Sequence, residues 1–125
     1  MPAYSNTTPP SALYPGDVGS SFSNEAFPAG AQAGTQFAVP EPAGFPNQGH
    51  TVVWQTVFGT APGAISVSLQ GALADLDAEY ATLDTSTIAA GEQRNVANVR
   101  ARFLRLKQNS ITLGSGAGFT AKMAI

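Results

Sequence analysis

Proline divides this chain before any other residue does. Eight of its nine prolines (Pro2, Pro9, Pro10, Pro15, Pro28, Pro40, Pro42 and Pro46) fall within residues 1–49. Each removes a backbone donor and fixes φ, so neither a helix nor a central strand runs easily through such a stretch. Six of the thirteen glycines lie there as well, and the apolar residues follow neither the strand nor the helix period. From His50 onward, β-branched and aromatic residues alternate with small polar ones and turn residues recur at short intervals. The division predicts an extended Pro/Gly/Ala-rich arm over residues 1–49 and a single β domain over residues 50–125.

The arm differs from a solvated linker in carrying six of the chain's eleven aromatic residues: Tyr4, Tyr14, Phe22, Phe27, Phe37 and Phe45. Disordered segments are typically poor in such side chains. Their spacing of five to ten residues suits anchors that drop one by one into pockets along an extended path, and 49 residues reach at most about 160 Å. The pockets would belong to a partner, or the arm would fold back on its own domain. A short helical turn near residues 24–26 is the one regular element the arm suggests.

In the second part, residues 51–58 are β-branched and aromatic, and residues 59–63 supply a turn. Ile65, Val67 and Leu69 alternate with Ser66, Ser68 and Gln70, which predicts a half-buried antiparallel strand. Residues 71–79 read as a loop, residues 80–83 as a short strand and residues 93–96 as another. Val99, Ala101 and Phe103 alternate with arginines until Leu104 follows Phe103 directly, a phase change that a β-bulge explains. The other reading of residues 92–107 is a helix with Val96, Val99, Phe103 and Leu106 on one face. Phe119, Ala121, Met123 and Ile125 alternate after the glycine-rich turn at residues 114–118. Six or seven short strands at this spacing predict an all-β fold, a small antiparallel β-sandwich. A core of about 75 residues with no disulfide or metal is small, so burial against the arm or other subunits would support it.

Charge is sparse and unevenly placed. All six basic residues (Arg94, Arg100, Arg102, Arg105, Lys107 and Lys122) lie in the last 32 positions, and all eight acids precede Arg94. One end could therefore attract a neighbour's other end. A net charge of −2 without a basic excess does not predict a nucleic-acid partner. Arg100, Arg102, Arg105 and Lys107 form a candidate cationic stripe for carboxylates of a neighbouring subunit or for a polyanion; the plainer reading is a solvated strand face. Asp75, Asp77 and Glu79 could offer three carboxylates to Ca²⁺, but the glycine and terminal glutamate of an EF-hand loop are missing, and a solvated acidic turn explains them as well.

Catalytic signals are scarce. There is no cysteine, His50 is the one histidine, and no serine sits in a nucleophile elbow. Residues 114–118 lack the Lys-Ser or Lys-Thr that completes a phosphate-binding loop. Neither enzymatic activity nor a cofactor is expected. The first residues lack a basic segment followed by an apolar run, and no stretch of about 18 apolar residues occurs. The expectation is synthesis in a cytoplasm with no membrane span, and the sequon at Asn6 stands without a secretory context.

Residues 66–71 (Ser-Val-Ser-Leu-Gln-Gly), 80–85 (Tyr-Ala-Thr-Leu-Asp-Thr), Gly91 with Glu92, and 99–105 (Val-Arg-Ala-Arg-Phe-Leu-Arg) together resemble β-sandwich domains of bacteriophage virion proteins. The resemblance spans residues 50–125 and departs at residues 72–78, where an Ala-rich connection replaces a short hairpin. It is most similar to capsid decoration, or cement, proteins. It implies a homo-oligomer, with a trimer as one form, that sits on the outer capsid surface. There it would bind the major capsid protein and neighbouring copies, the arm crossing subunit seams. Related sandwiches serve as glycan- or receptor-binding modules of tails and fibres, or as tail and neck adaptors.

Overall fold

Alternating residues in the second half of the chain form the two central strands on which everything else is laid. The computed structural model describes residues 10–40, 49–112 and 118–125. Its strands are β1 (Ser11–Ala12), β2 (Val18–Glu25), β3 (Gln32–Ala33), β4 (Phe37–Ala38), β5 (His50–Val57), β6 (Ala64–Ala72), β7 (Ala81–Ser86), β8 (Gln93–Val99), β9 (Phe103–Thr112) and β10 (Phe119–Ala124). One short 3₁₀ turn, Asp77–Glu79, interrupts the connection from β6 to β7. The protein is all-β, two sheets packed face to face as a small sandwich.

The first sheet runs β1-β4-β9-β6-β7, with β3 also paired to β9; the second runs β2-β10-β5-β8. All pairings are antiparallel except that of β1 with β4. The inward residues of β6 (Ile65, Val67, Leu69) and β9 (Leu104, Leu106) meet those of β5 (Val52, Trp54) and β10 (Phe119, Ala121, Met123) in one buried core. The period-two expectation for β6 and β10 is what the strands show. Gln70 is buried too, beneath Arg105 and the Tyr80 ring at the end of the connection after β6, and Ser68 is buried where it bonds Thr85 and Asn109.

Two expectations change. Residues 10–40, expected outside the domain as an arm, lie in the sandwich, so the boundary at His50 does not separate a tail from a core. β2 pairs along β10, while β3 and β4 pair with β9. The prolines punctuate these strands without preventing them: Pro10, Pro15, Pro28 and Pro40 all fall between elements, leaving residues 16–27 free to form β2. Its inward positions include Gly19 and Ser21, and its pairing with β10 shifts register twice, so hydrophobic alternation could not announce it. Asn24 adopts φ +50° inside β2, in place of the suggested helical turn.

The segment around residues 92–107 is neither a bulged strand nor a helix. β8 ends at Val99 in one sheet and β9 begins at Phe103 in the other, so the phase change marks a crossing between sheets. Backbone bonds from Arg102 N to Ala72 O (2.9 Å) and from Val39 N to Arg102 O (2.8 Å) hold that crossing. The register shift within this segment falls instead in β8, between Val96 and Val99 opposite Val52 and His50, where Asn98 takes φ +58°.

Ser21 joins the sheets at one edge. Its Oγ donates to the Thr35 carbonyl (2.8 Å) and accepts the Leu106 N–H (3.0 Å) from β9. Around it, Thr35 N donates to Ser21 O (3.0 Å) and Gly34 N to Leu106 O (2.9 Å). A Cβ on Gly34 would stand 2.5 Å from the Ser21 carbonyl oxygen, so only glycine allows this approach. Phe22→Ala is expected to lower unfolding free energy by about 3–5 kcal/mol, and Gly34→Ala by about 1–3 kcal/mol. Both are read by denaturant titration; changes below about 0.5 kcal/mol would mark a segment outside the cooperative fold.

Candidate interaction surfaces

The aromatic residues expected to anchor an arm in a partner are largely used within the molecule. Phe22 is fully buried and stacks on Phe119, ring centroids 4.7 Å apart. Phe27 stacks on Phe119 at 5.3 Å and meets Phe58 at 5.7 Å, and Phe58 also contacts Phe119 at 5.7 Å. These four rings fill one end of the sandwich. Phe37 is half-buried, its ring set against Gly19 so closely that a Cβ there would lie 3.0 Å from it. Tyr14 is exposed, on a turn closed by Asp17 N donating to Tyr14 O. Tyr4 and Phe45 lie outside the described residues.

The pockets of Phe22, Phe27 and Phe37 belong to the chain itself. Gln108, at a core position of β9, completes the hold: its Nε2 donates to the carbonyls of Pro28 and Gly30, both at 2.8 Å. A glutamine in phase with Leu104 and Leu106 was the signal in the sequence that some backbone would cross there.

The four cations do not make one stripe. Arg100 is exposed and Arg102 half-buried, both in the crossing between sheets, while Lys107 is half-buried on β9. Arg105 is 3% exposed. It lies on the outer face of β9 beneath the 73–80 loop. There its Nε donates to Gln70 (2.8 Å), its Nη1 to Asp77 (2.7 Å), and its guanidinium stacks 4.0 Å from the centre of the Tyr80 ring. The Tyr80 hydroxyl in turn donates to Asp75 (2.9 Å). Asp75 and Asp77 thus fasten the loop to the sheet and do not converge with Glu79 on one point. Among the described residues no group of three potential metal ligands is assembled.

A second polar cluster joins the sheets at the edge opposite Ser21. Asp84 on β7 accepts from Trp54 Nε1 (3.0 Å) and from Arg94 Nε (2.8 Å) and Nη2 (3.0 Å). Arg94 also reaches Glu92 (3.2 Å), whose Oε1 accepts from the Ser86 hydroxyl (2.6 Å). Arg94, followed by the N–H donors of Trp54 and Thr85, holds the Asp84 carboxyl below its ordinary value, against the opposing effect of burial. Asp84 and Glu92 keep the Arg94 guanidinium more firmly protonated in return. Trp54 brings a buried ring together with a polar partner, as its N–H requires.

Two surfaces remain turned outward. On the second sheet, Ser20, Gln55, Val53, Val57, Thr120 and Ala124 face away from the core, and Lys122 is the one ionisable group among these strand residues. A shallow depression at one end of that face is lined by Val18, Val53, Gln55, Lys122, Met123 and Ala124. On the first sheet, the loop fastened by Arg105 exposes Leu73 and Leu76. No family model matches the chain, and no curated protein is similar to it at a significant level.

The Asp84 cluster carries a pH signature. A carboxylate whose value is lowered on folding adds stability that is complete above the unfolded value near 3.8 and is lost as pH falls through the lower folded one. Asp84→Asn is therefore expected to destabilise the protein at pH 7, and the difference from wild type to shrink below about pH 3.8, read from denaturation midpoints across pH. Arg105→Ala is expected to release the 73–80 loop, making it the first site cut in limited proteolysis while the rest of the sandwich stays folded.

Proposed function

We propose that this chain is a non-catalytic structural protein of the virion, of the capsid-decorating kind, which binds the outside of an assembled shell beside copies of itself and stabilises it. The observation that carries this reading is the outer face of the β2-β10-β5 strands, where among the described outward residues Ser20, Val53, Gln55, Val57, Thr120, Lys122 and Ala124 only Lys122 is ionisable. A broad face with so little charge loses little hydration on docking, and its valines and alanine gain about 25 cal/mol for each Å² of apolar area buried. A freely dispersed domain is better served by a surface rich in mixed charges. A protein that binds only the assembled shell stabilises it by mass action, needing no chemistry of its own.

The inner architecture supports the same reading. The polar side chains of Ser21, Asp84, Arg94, Arg105 and Gln108 are engaged in joining sheets and fastening loops. A glycan- or receptor-binding module is less well supported, because Trp54, Tyr80 and Phe119 are buried, Phe58 and Phe103 are half-buried, and Tyr14 is the one exposed aromatic among the described residues. A tail or neck adaptor would use the same face in another symmetry.

Shell binding is tested by sedimenting the purified chain with assembled phage capsids and with free capsid subunits. Expected are co-sedimentation with shells alone, a higher temperature of shell disruption, and loss of both in Val57→Asp, whose unfolding midpoint stays unchanged. Failure to bind any shell, together with hits on a glycan array, would contradict the proposal.

A further inference from the structure

The 73–80 loop is fastened far more strongly than a connection between neighbouring antiparallel strands requires. β6 and β7 pair directly, and a short hairpin would join them. Instead the loop is held over the sheet by Arg105, buried between Gln70, Asp77 and the Tyr80 ring, and by the Tyr80 bond to Asp75. Burying a guanidinium is unfavourable unless its partners are in place, so the arrangement works against stability wherever the loop is not closed. What it achieves is a fixed loop that exposes two leucines, Leu73 at 75% and Leu76 at 49%, beside Asp77, Ala78 and Glu79. Isolated exposed leucines need no explanation. Two on a loop locked by a buried cation form a rigid apolar knob, with the ordering cost of a contact already met.

The same molecule carries a matching recess. The depression on the outer face of the other sheet is walled by Val18, Val53, Met123 and Ala124, with Lys122 as its only ionisable group. Beside the knob stand Asp77, 64% exposed at its side chain although paired with Arg105, and Glu79, which is exposed. Apolar surface thus faces apolar surface, and an acidic rim faces a cation.

We infer that the leucine knob of the 73–80 loop docks into the Val18/Val53/Lys122 recess of a second copy of this chain. The inference rests on the virion reading above and names the neighbour that occupies one end of its low-charge face. Knob and recess lie on opposite faces of the sandwich, so one molecule cannot satisfy its own recess and a two-fold dimer is not formed. The contact is head-to-tail: each copy offers a knob to one neighbour and a recess to the other, giving a row, or a ring where the rotation closes.

Complementation in sedimentation velocity tests this on the full chain. A knob variant, Leu73→Ser with Leu76→Ser, retains its recess; a recess variant, Val53→Asp with Lys122→Glu, retains its knob. Lys122→Glu alone is the milder recess variant, and unfolding midpoints confirm that each protein is folded. Wild type is expected to grow in mass with concentration past the dimer. Each variant alone is expected to associate at least about tenfold more weakly. An equimolar mixture of the two variants forms a dimer that grows no further, since only one knob and one recess remain able to meet. A monomeric wild type, variants that associate like wild type, or a mixture that stays monomeric would each overturn the inference. Shell co-sedimentation by a wild type that is monomeric in solution would remove this contact and leave the virion reading standing. Self-association without shell binding would do the reverse.

Discussion

The hydroxyl of Ser21 is where two sheets become one structure. From β2 of one sheet it bonds the Thr35 carbonyl and the Leu106 amide, and both lie against β9 of the other. A buried serine with both donor and acceptor satisfied is inexpensive, whereas either partner left unpaired would cost about 1–3 kcal/mol. The bond sets how closely β2 approaches β9, which requires glycine at residue 34, and it delivers the next residue, Phe22, onto the Phe119 ring. Opposite, Asp84, Arg94 and Trp54 perform the equivalent joining between β7, β8 and β5. A core of modest size is thereby closed along both edges, in a chain with no cysteine for a disulfide.

How much of this could be read from the chain follows from which residues face inward. Where inward positions are large and apolar, as in β6 (Ile65, Val67, Leu69) and β10 (Phe119, Ala121, Met123), alternation reveals the strand directly. Where they are Gly19 and Ser21, and the register shifts twice against β10, no hydrophobic period exists to be read. Residues 10–40 read as an arm for that reason, and of their aromatic residues Phe22, Phe27 and Phe37 pack within the sandwich while Tyr14 is exposed. The crossing at residues 100–102 left the same ambiguity: a phase change in the pattern is compatible with a bulge, and only the sheet assignments of β8 and β9 distinguish the two.

The candidate surfaces were less legible than the fold. A run of alternating arginines says nothing about which one is buried; Arg105 is buried because the loop after β6 returns across the sheet with Tyr80 and Asp77. The outer face of the second sheet emerges only when β2, β10, β5 and β8 are placed side by side, since its uncharged positions are scattered through sequence from Val18 to Ala124. Phe22, Phe27 and Phe37 are committed to the core, so the proposed recognition rests on the faces and loops of the sandwich.

The central claim is that residues 10–40 are part of the cooperative fold in the single chain. Native-state hydrogen exchange tests it most directly, because the paired amides of β2 and the Leu106 amide bonded to Ser21 report closure of that edge. If the claim holds, these amides exchange only through the same global opening as those between β6 and β9. Rapid exchange along β2, with β6 and β9 still protected, would show a detachable arm and contradict it.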